Sequence, residues 1–175
     1  MNARFLGLTA MPGTRYLAVG IMMPWEDNLR IQFGFWKQAE EQGVIARLRE
    51  RCGSERVVGL FCYRCDMDKR MFSYHIACEN RLAAPPGSFE ELVLRPLTYA
   101  RFQGGCAAGE DAHAAYEQTC EAFWGEWLPS SGYVSLIEPE TGGCQPGYAA
   151  IEAFSPQVPL AAYRLEALFP VEKKS

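Results

Sequence analysis

The sequence has few histidines, few closely spaced metal ligands and no excess of positive charge. There are only two histidines, and Cys62 and Cys65 form a single CxxC pair. A zinc site would need a second such pair or suitably spaced histidines, so we expect neither a metal nor a cofactor. The formal net charge is −4, which argues against direct binding to the nucleic-acid backbone.

The sequence also lacks a long hydrophobic run. No apolar stretch approaches the roughly 20 residues that a membrane helix needs. The N-terminal segment MNARFLGLTA has no secretory hydrophobic region, so we expect a cytoplasmic protein without membrane contact. The seven cysteines are odd in number and irregularly spaced. This pattern argues against a disulfide framework and predicts reduced, mostly buried thiols.

What is present is the composition of an ordinary globular protein. Of the 175 residues, 49% are hydrophobic and 22% are charged. This length fits one compact domain, residues 1–175, or two small fused halves. Aromatic residues make up 13% of the chain, and most of them are expected to pack in the core.

Two carboxylates stand out in otherwise apolar strands near the end of the chain. In Leu160–Pro170, alternate residues form a wholly apolar face, and Glu166 lies on the other face. Glu152 lies in the preceding predicted strand, Tyr148–Phe154. A carboxylate in apolar surroundings needs a partner charge or a proton. That partner is either a cationic ligand or one of the protein's own cations, such as Arg164 beside Glu166.

The order of predicted elements repeats. In the first half, about residues 14–82, a strand at 16–23 precedes a helix from Leu29, a helical stretch at 44–51, and strands at 56–63 and 71–79. In the second half, about residues 89–172, a strand at 92–102 bends at Pro96, and Gly104-Gly105 is predicted to turn the chain. A helix at 110–127, a long loop at 128–147 and the two glutamate-bearing strands follow.

This order predicts an α+β fold built from two strand–helix–strand–strand units related by a pseudo-two-fold axis. The units would share one antiparallel sheet with the helices on one side. The cleft between the halves is then the natural binding pocket.

Several motifs in order resemble the GyrI-like effector-binding family. They are a strand followed by Pro24-Trp25-Glu26 and a helix, Tyr99-Ala100 with its glycine pair, and then WLPSSGY, AIEAF and LEALFP. The family includes the drug-binding domains of AraC-type and MerR-type regulators and a free-standing gyrase inhibitor protein. The resemblance runs from about Arg15 to Lys173 and implies the doubled fold inferred above. Because no room remains for a helix-turn-helix, it implies a free-standing binding domain.

The resemblance also implies a ligand and a site. The family's usual ligands are flat, lipophilic, often cationic compounds held by aromatic residues around a central glutamate. The family's central glutamate, on the final strand, corresponds to Glu166, and a second one corresponds to Glu152. The family's aromatics on the first helix and the third strand correspond to Trp36 and Tyr74. We also expect Tyr63 and Phe33 in the walls, since Phe33 lies on the same helical stripe as Trp36.

Three functions remain open at the level of sequence. The first is binding of lipophilic, cationic or aromatic small molecules, without catalytic residues. The second, implied by the resemblance, is hydrolysis of cyclopropane-containing alkylating agents, in which Glu166 and the hydroxyl of Tyr74 or Tyr63 would act on water. The third is a protein-interaction role resembling that of the gyrase inhibitor. The sequence does not indicate an oligomeric state.

Overall fold

A computed structural model describes residues 3–107, 110–137, 147–154 and 163–175. Within these ranges, nine strands form a single antiparallel sheet. The strands are β1 Arg4–Met11, β2 Thr14–Pro24, β3 Val57–Asp66, β4 Met71–Glu79, β5 Glu90–Leu94, β6 Leu97–Cys106, β7 Tyr133–Ser135, β8 Ala150–Phe154 and β9 Tyr163–Lys173. The helices are α1 Asn28–Glu41, α2 Val44–Cys52, α3 Ala112–Glu121 and α4 Leu128–Ser130, with a π-helical segment, Ala122–Trp127, joining α3 to α4.

The strand order has the symmetry that the sequence predicted. The order is β1-β6-β9-β8-β3-β4-β2-β5, and β7 pairs with β9 outside this path. A two-fold operation between β8 and β3 exchanges β9 with β4, β6 with β2 and β1 with β5. The duplicated α+β architecture is therefore confirmed, and β8 and β3 lie at its centre.

In each half, one strand pairs with a strand of the other half. β1 precedes β2 in the chain but pairs with β6, and β5 precedes β6 but pairs with β2. The β1–β6 pairing continues into the β2–β5 pairing without a shift in register. Met11 at the end of β1 pairs with Leu97, and Thr14, three residues later, pairs with Leu94, three residues earlier. Only two residues separate β1 from β2, although five strands lie between them in the sheet order. The sheet must therefore curl so that its two edges approach each other.

The curled sheet has a different apolar core on each face. The larger core contains all the buried apolar helix residues among the described residues, including Leu48 of α2 and Phe123 of the π-helical segment. The smaller core contains strand and loop residues, such as Leu60, Ile151 and Leu168. The helices therefore cover one face of the sheet, as predicted.

The last strand behaves as its alternation predicted. Leu165, Ala167 and Phe169 belong to the helix-covered core, whereas Leu168 belongs to the other core and Arg164 is exposed. The first predicted residues of this strand, 160–162, lie outside the described ranges.

Several sequence expectations about the fold were wrong or incomplete, and the predicted long loop at 128–147 contains α4 and β7. Gly104-Gly105 does not turn the chain but lies buried inside β6. A β-carbon at Gly104 would overlap the Thr119 hydroxyl of α3, so this glycine lets the helix approach the sheet closely. The predicted strand at 92–102 is two strands, broken at Arg95-Pro96 where proline cannot donate to the ladder. The sequence also missed β1, whose register is interrupted between Phe5 and Gly7.

The cysteine prediction was also wrong in part. Cys65 is disulfide-bonded, whereas Cys52, Cys62, Cys78, Cys106 and Cys120 are free. An odd cysteine count excludes complete pairing but does not exclude a single disulfide. In the part of the chain that the structure describes, no helix is long and apolar enough to cross a membrane.

Candidate functional site

The candidate site is built around Glu152, in the middle of the central strand β8. Its neighbours across the two adjacent strands are Gly59 on β3 and Ala167 on β9, which carry the smallest possible side chains. Glu152 and Ala167 lie on the helix-covered face, since directly opposed residues point to the same side of a sheet. Small neighbours leave space above the sheet in which side chains from the helices can reach the carboxylate.

Three neutral side chains donate hydrogen bonds to this carboxylate. Gln32 Nε2 of α1 lies 2.7 Å from Glu152 Oε2, and the Tyr74 hydroxyl of β4 lies 3.1 Å from the same oxygen. The Tyr116 hydroxyl of α3 donates to Oε1. A further bond orients Tyr74, because Trp36 Nε1 donates to its hydroxyl at 2.8 Å. Side chains from both halves of the molecule thus converge on one carboxylate.

Glu152 is fully buried and has no ion-pair partner among the described residues. Burial raises its pKa to about 7, although the hydrogen bonds from Tyr116, Tyr74 and Gln32 oppose the shift. Near neutral pH the group therefore exists in both charged and neutral forms. Burial also holds the pKa of Tyr116 well above its usual value, so its hydroxyl keeps the proton that it donates.

Two thiols lie near this carboxylate, of which Cys62 is buried and Cys120 is half-buried in the cavity wall. Burial raises the pKa of Cys62 far above its usual value, and the charge of Glu152 adds to this shift. Burial likewise raises the pKa of Cys120 to about 12. Both are therefore neutral thiols near pH 7 and poor nucleophiles. Their presence makes the surroundings of Glu152 apolar without adding positive charge.

A surface cavity of about 420 Å³ has one of the donors to Glu152, Tyr116, in its wall. It lies between the first turn of α1 and the exposed side of α3, and its lining residues are Trp25, Asp27, Asn28, Leu29, Arg30, His113, Tyr116, Glu117 and Cys120. Tyr116 therefore contributes to the cavity wall while its hydroxyl bonds to Glu152. The tyrosine separates the cavity from the carboxylate.

An aromatic contact joins the two helices beside this cavity. The rings of Phe33 on α1 and His113 on α3 stack with a centroid distance of 4.7 Å and an interplanar angle of 4°. Since α1 and α3 belong to different halves, this stack bridges the cleft between them. Trp25, also in the cavity wall, packs against Phe72 at 5.0 Å.

The structure brings four of the six sequence-predicted site residues to this region and separates the other two from it. Glu152, Trp36 and Tyr74 form one hydrogen-bonded chain, and Phe33 lies one helical turn from Trp36. Glu166 lies directly opposite Ala153, the residue after Glu152, so it points to the other face of the sheet.

Glu166 and Tyr63 have other partners on that face. Glu166 forms an ion pair with Arg101, with Oε1 at 2.9 Å from Nη2 and 3.0 Å from Nε. Tyr63 packs against the smaller core, and its hydroxyl bonds to the backbone of Val93.

Sequence reasoning missed Gln32, Gly59 and the role of Tyr116. Tyr116 falls on one apolar stripe of its helix with Cys120, Phe123 and Trp127, a pattern that predicts core packing. Gln32 carried a usable signal: it precedes Trp36 by four positions and Ala39 by seven, so its side chain falls on the buried face of α1. A polar side chain at such a position needs a buried partner. Among the described residues, no group of three or more His, Cys, Asp or Glu side chains could hold a metal ion.

Comparison with known proteins identifies the fold. Neither a family model nor a curated protein sequence matches the chain. Among solved structures, SAV2435 bound to tetraphenylphosphonium matches with a TM-score of 0.71 and 17% identity, over 97% of this chain and 94% of that one. A putative transcription regulation protein from Staphylococcus aureus MU50 matches with a TM-score of 0.68 and 15% identity, over 97% and 98% of the two chains.

A third structure matches over nearly the whole of both chains. The C-terminal domain of EcmrR matches with a TM-score of 0.58 and 14% identity, over 99% of both chains. These neighbours agree with the resemblance to GyrI-like domains that the sequence motifs predicted. At such low identity the likeness shows the fold alone.

Proposed function

We propose that this protein binds lipophilic cations, and that Glu152 is the carboxylate that meets the positive charge. One observation carries the proposal: Glu152 is fully buried and hydrogen-bonded to neutral donors, without a cationic partner in the described part of the chain. A buried carboxylate of this kind is costly unless a counter-charge arrives or a proton is taken up. With a pKa of about 7, Glu152 can either take up a proton or bind a cation near neutral pH.

The surroundings favour a lipophilic cation over a metal ion. Trp36, Tyr74 and Tyr116 are joined directly or through one bond to the carboxylate, and Trp25 lines the outer cavity. Aromatic ring faces attract a desolvated organic cation by about 0.5–2 kcal/mol each. SAV2435, which shares the fold, was solved with tetraphenylphosphonium, and this agrees with a cationic ligand.

Tyr116 is proposed as the group that the ligand displaces. It lines the cavity, and its hydroxyl donates a hydrogen bond to Glu152, which does not itself line the cavity. A cation approaching from the cavity must turn this ring aside before it can reach the carboxylate. The ligand then replaces one hydrogen bond to Glu152 with a charge interaction.

The experiment is a calorimetric titration of tetraphenylphosphonium into the wild type and two matched variants, Glu152→Gln and Glu166→Gln, at pH 8. Removing one side of a buried charge pair costs about 2–5 kcal/mol, so we expect this loss in Glu152→Gln. Glu166→Gln should bind as the wild type does. The affinity for neutral triphenylphosphine oxide should fall little in either variant. Binding of this compound would also show that Glu152→Gln is folded.

Two outcomes would contradict this proposal. If Glu166→Gln lost much of its affinity for tetraphenylphosphonium and Glu152→Gln kept wild-type affinity, Glu166 would be the carboxylate that binds the positive charge. Equal losses for the cation and the neutral compound would mean that Glu152 shapes the pocket without recognising charge.

Hydrolysis is a second candidate, because two tyrosine hydroxyls contact the same carboxylate. A glutamate acting on water beside a tyrosine hydroxyl is the arrangement that such chemistry needs. Incubating a cyclopropane-containing alkylating agent with the wild type and with Glu152→Gln, followed by mass spectrometry, separates the two functions. A simple binder returns the compound unchanged, whereas turnover that is lost in Glu152→Gln identifies a hydrolase.

A further inference from the structure

The face of the sheet opposite the helices carries a second cavity with the opposite charge. It has a volume of about 450 Å³, and its lining residues are Arg56, Arg101, Gln103, Ala153, Arg164, Leu165 and Glu166. Three guanidinium groups and one carboxylate leave the wall with an excess of two positive charges. The whole chain, by contrast, has a net charge of −4. Positive charge is thus concentrated in one concave region of an acidic protein.

The three arginines come from three separate places in the sheet. Arg56 immediately precedes β3, Arg101 lies on β6 and Arg164 lies on β9. Because these strands belong to one hydrogen-bonded sheet, their relative positions are fixed by the backbone. Ala153 on β8 lies between β9 and β3, and its short side chain leaves the space that the arginines surround. Arg101 and Arg164 therefore project from a rigid sheet, which is better ordered for binding than loops are, and Arg56 joins them from the segment before β3.

Arg101 is held in place by the carboxylate that the sequence singled out. Glu166 Oε1 accepts from Arg101 Nε at 3.0 Å and lies 2.9 Å from Nη2. Glu166 is itself fixed between Gln103 and Ala153, its neighbours across the sheet. A guanidinium has five N–H donors, so the pair leaves donors of Arg101 free for another acceptor. Glu166 acts here as a positioning residue.

Arg56 and Arg164 have no ion-pair partner among the described residues. Both side chains are exposed, so each is available to a molecule that enters the cavity. Two unpaired guanidinium groups beside a third repel one another unless an anion lies between them. Guanidinium groups match carboxylate and phosphate oxygens in geometry and bind them through paired hydrogen bonds.

We infer that this cavity binds a small polyanion through its phosphate or carboxylate groups. The inference is independent of the proposed cation site, because the two cavities lie on opposite faces of the sheet. Glu152 and Ala153 are successive residues of β8 and point to opposite sides. The molecule would therefore bind a cation on one side of its central strand and an anion on the other.

The test uses two polyanions of different chemistry, pyrophosphate and citrate, in calorimetric titrations at 150 mM NaCl. We expect at least one to bind with a dissociation constant below 1 mM. Arg164→Gln and Arg56→Gln should each weaken that binding about tenfold or more. The matched control is Arg47→Gln, which removes an exposed arginine on α2 whose guanidinium contacts a backbone carbonyl. This variant should stay within twofold of the wild type.

The two ligands also distinguish the chemical source. Binding of pyrophosphate alone indicates a phosphate ligand, binding of citrate alone indicates a carboxylate ligand, and binding of both indicates a general oxyanion site. Absence of binding by both would overturn the inference, and so would an equal loss in Arg47→Gln and Arg164→Gln, which would indicate general charge attraction. Tetraphenylphosphonium affinity should remain unchanged in Arg164→Gln, so failure of one site leaves the other testable.

Discussion

Gly59 lies directly opposite Glu152 on the neighbouring strand, and no larger residue fits there. A β-carbon at position 59 would overlap the Tyr74 hydroxyl and would lie 3.2 Å from Glu152 Oε2. The glycine therefore creates the space in which the tyrosine and the carboxylate meet. Backbone flexibility is not the reason, since Gly59 lies in regular strand β3.

We predict that Gly59→Ala disrupts the Tyr74–Glu152 contact. The added methyl group forces the tyrosine aside, and overpacking of a buried site costs about 1–3 kcal/mol. Urea unfolding measures this loss of stability, and titration with tetraphenylphosphonium measures the effect on binding. The control is Gly34→Ala in α1, where a β-carbon meets nothing within 4 Å. Because alanine favours helix, the control should be slightly more stable than the wild type, and a similar loss in both variants would refute the steric argument.

Cation binding should depend on pH. The pKa of Glu152 is about 7 in the free protein, so at pH 6 most molecules must release a proton before they bind a cation. We expect affinity for tetraphenylphosphonium to be about tenfold weaker at pH 6 than at pH 8. Calorimetry in two buffers of different ionisation enthalpy would also detect the released proton. Neutral triphenylphosphine oxide serves as the control, and an equal pH dependence for this compound would count against a role for Glu152.

Replacing Tyr116 should move this pH dependence. The hydrogen bond from Tyr116 lowers the pKa of Glu152 and partly offsets the effect of burial. In Tyr116→Phe that bond is lost, so the pKa of Glu152 rises and the midpoint of the binding profile moves to higher pH. Tyr63→Phe is the matched control, because its hydroxyl bonds to Val93 on the opposite face. A shift of the same size in both variants would show that the effect does not arise at the carboxylate.

Glu152 should also make the stability of the unliganded protein depend on pH. Its pKa is raised from 4.5 in the unfolded reference to about 7 in the fold. The folded state therefore binds the proton more tightly, and the resulting stabilisation is complete below about pH 4.5 and lost as pH rises through about 7. The loss amounts to ~3 kcal/mol. We expect Glu152→Gln to gain stability relative to the wild type as the pH rises from 5 to 8, measured by urea unfolding. If the free energies of unfolding of the two proteins change in parallel with pH, this prediction is wrong.

The disulfide of Cys65 gives a prediction that is independent of the site. Thiol titration of the denatured protein should find two fewer reactive thiols before reduction than after it. Cys65→Ser should lower the free energy of unfolding by about 2–4 kcal/mol in non-reducing buffer. With reductant present, the wild type and the variant should have similar stability. Equal thiol counts with and without reduction would show that the bond is absent under the conditions used.

The sequence predicted the repeated order of elements well because each element carries its own local signal. Alternation in Leu165–Phe169 indicated a strand with one buried face, and the structure has that strand. Pro96 indicated a bend, and the structure breaks the strand there. Gly104 was misread because a glycine in a turn and a glycine beneath a helix look alike until the packing of Thr119 is known.

The candidate site was predictable only in part because its geometry depends on strand register. Glu152 and Glu166 both interrupt apolar strands, and the sequence does not say which residue lies opposite which. The ladder places Glu152 opposite Ala167, so the two carboxylates face opposite sides of the sheet. Of the aromatic residues, Trp36 and Tyr74 were placed correctly, whereas Tyr63 faces the other side of the sheet. Tyr116 could be located on its helix, but its partner on β8 is remote in sequence.

The exchange of strands between the halves also affects how the protein is made. Arg4 of β1 and Gln103 of β6 hydrogen-bond to each other although they are 99 residues apart in the chain. At about 5–20 residues per second, the ribosome would finish β1 roughly 5–20 s before it finishes β6. During that interval Phe5, Leu6 and Leu8, which stay largely exposed even in the folded protein, have no pairing partner on the nascent chain. The N-terminal strand therefore stays unpaired on the nascent chain until β6 has been made, with these apolar side chains exposed.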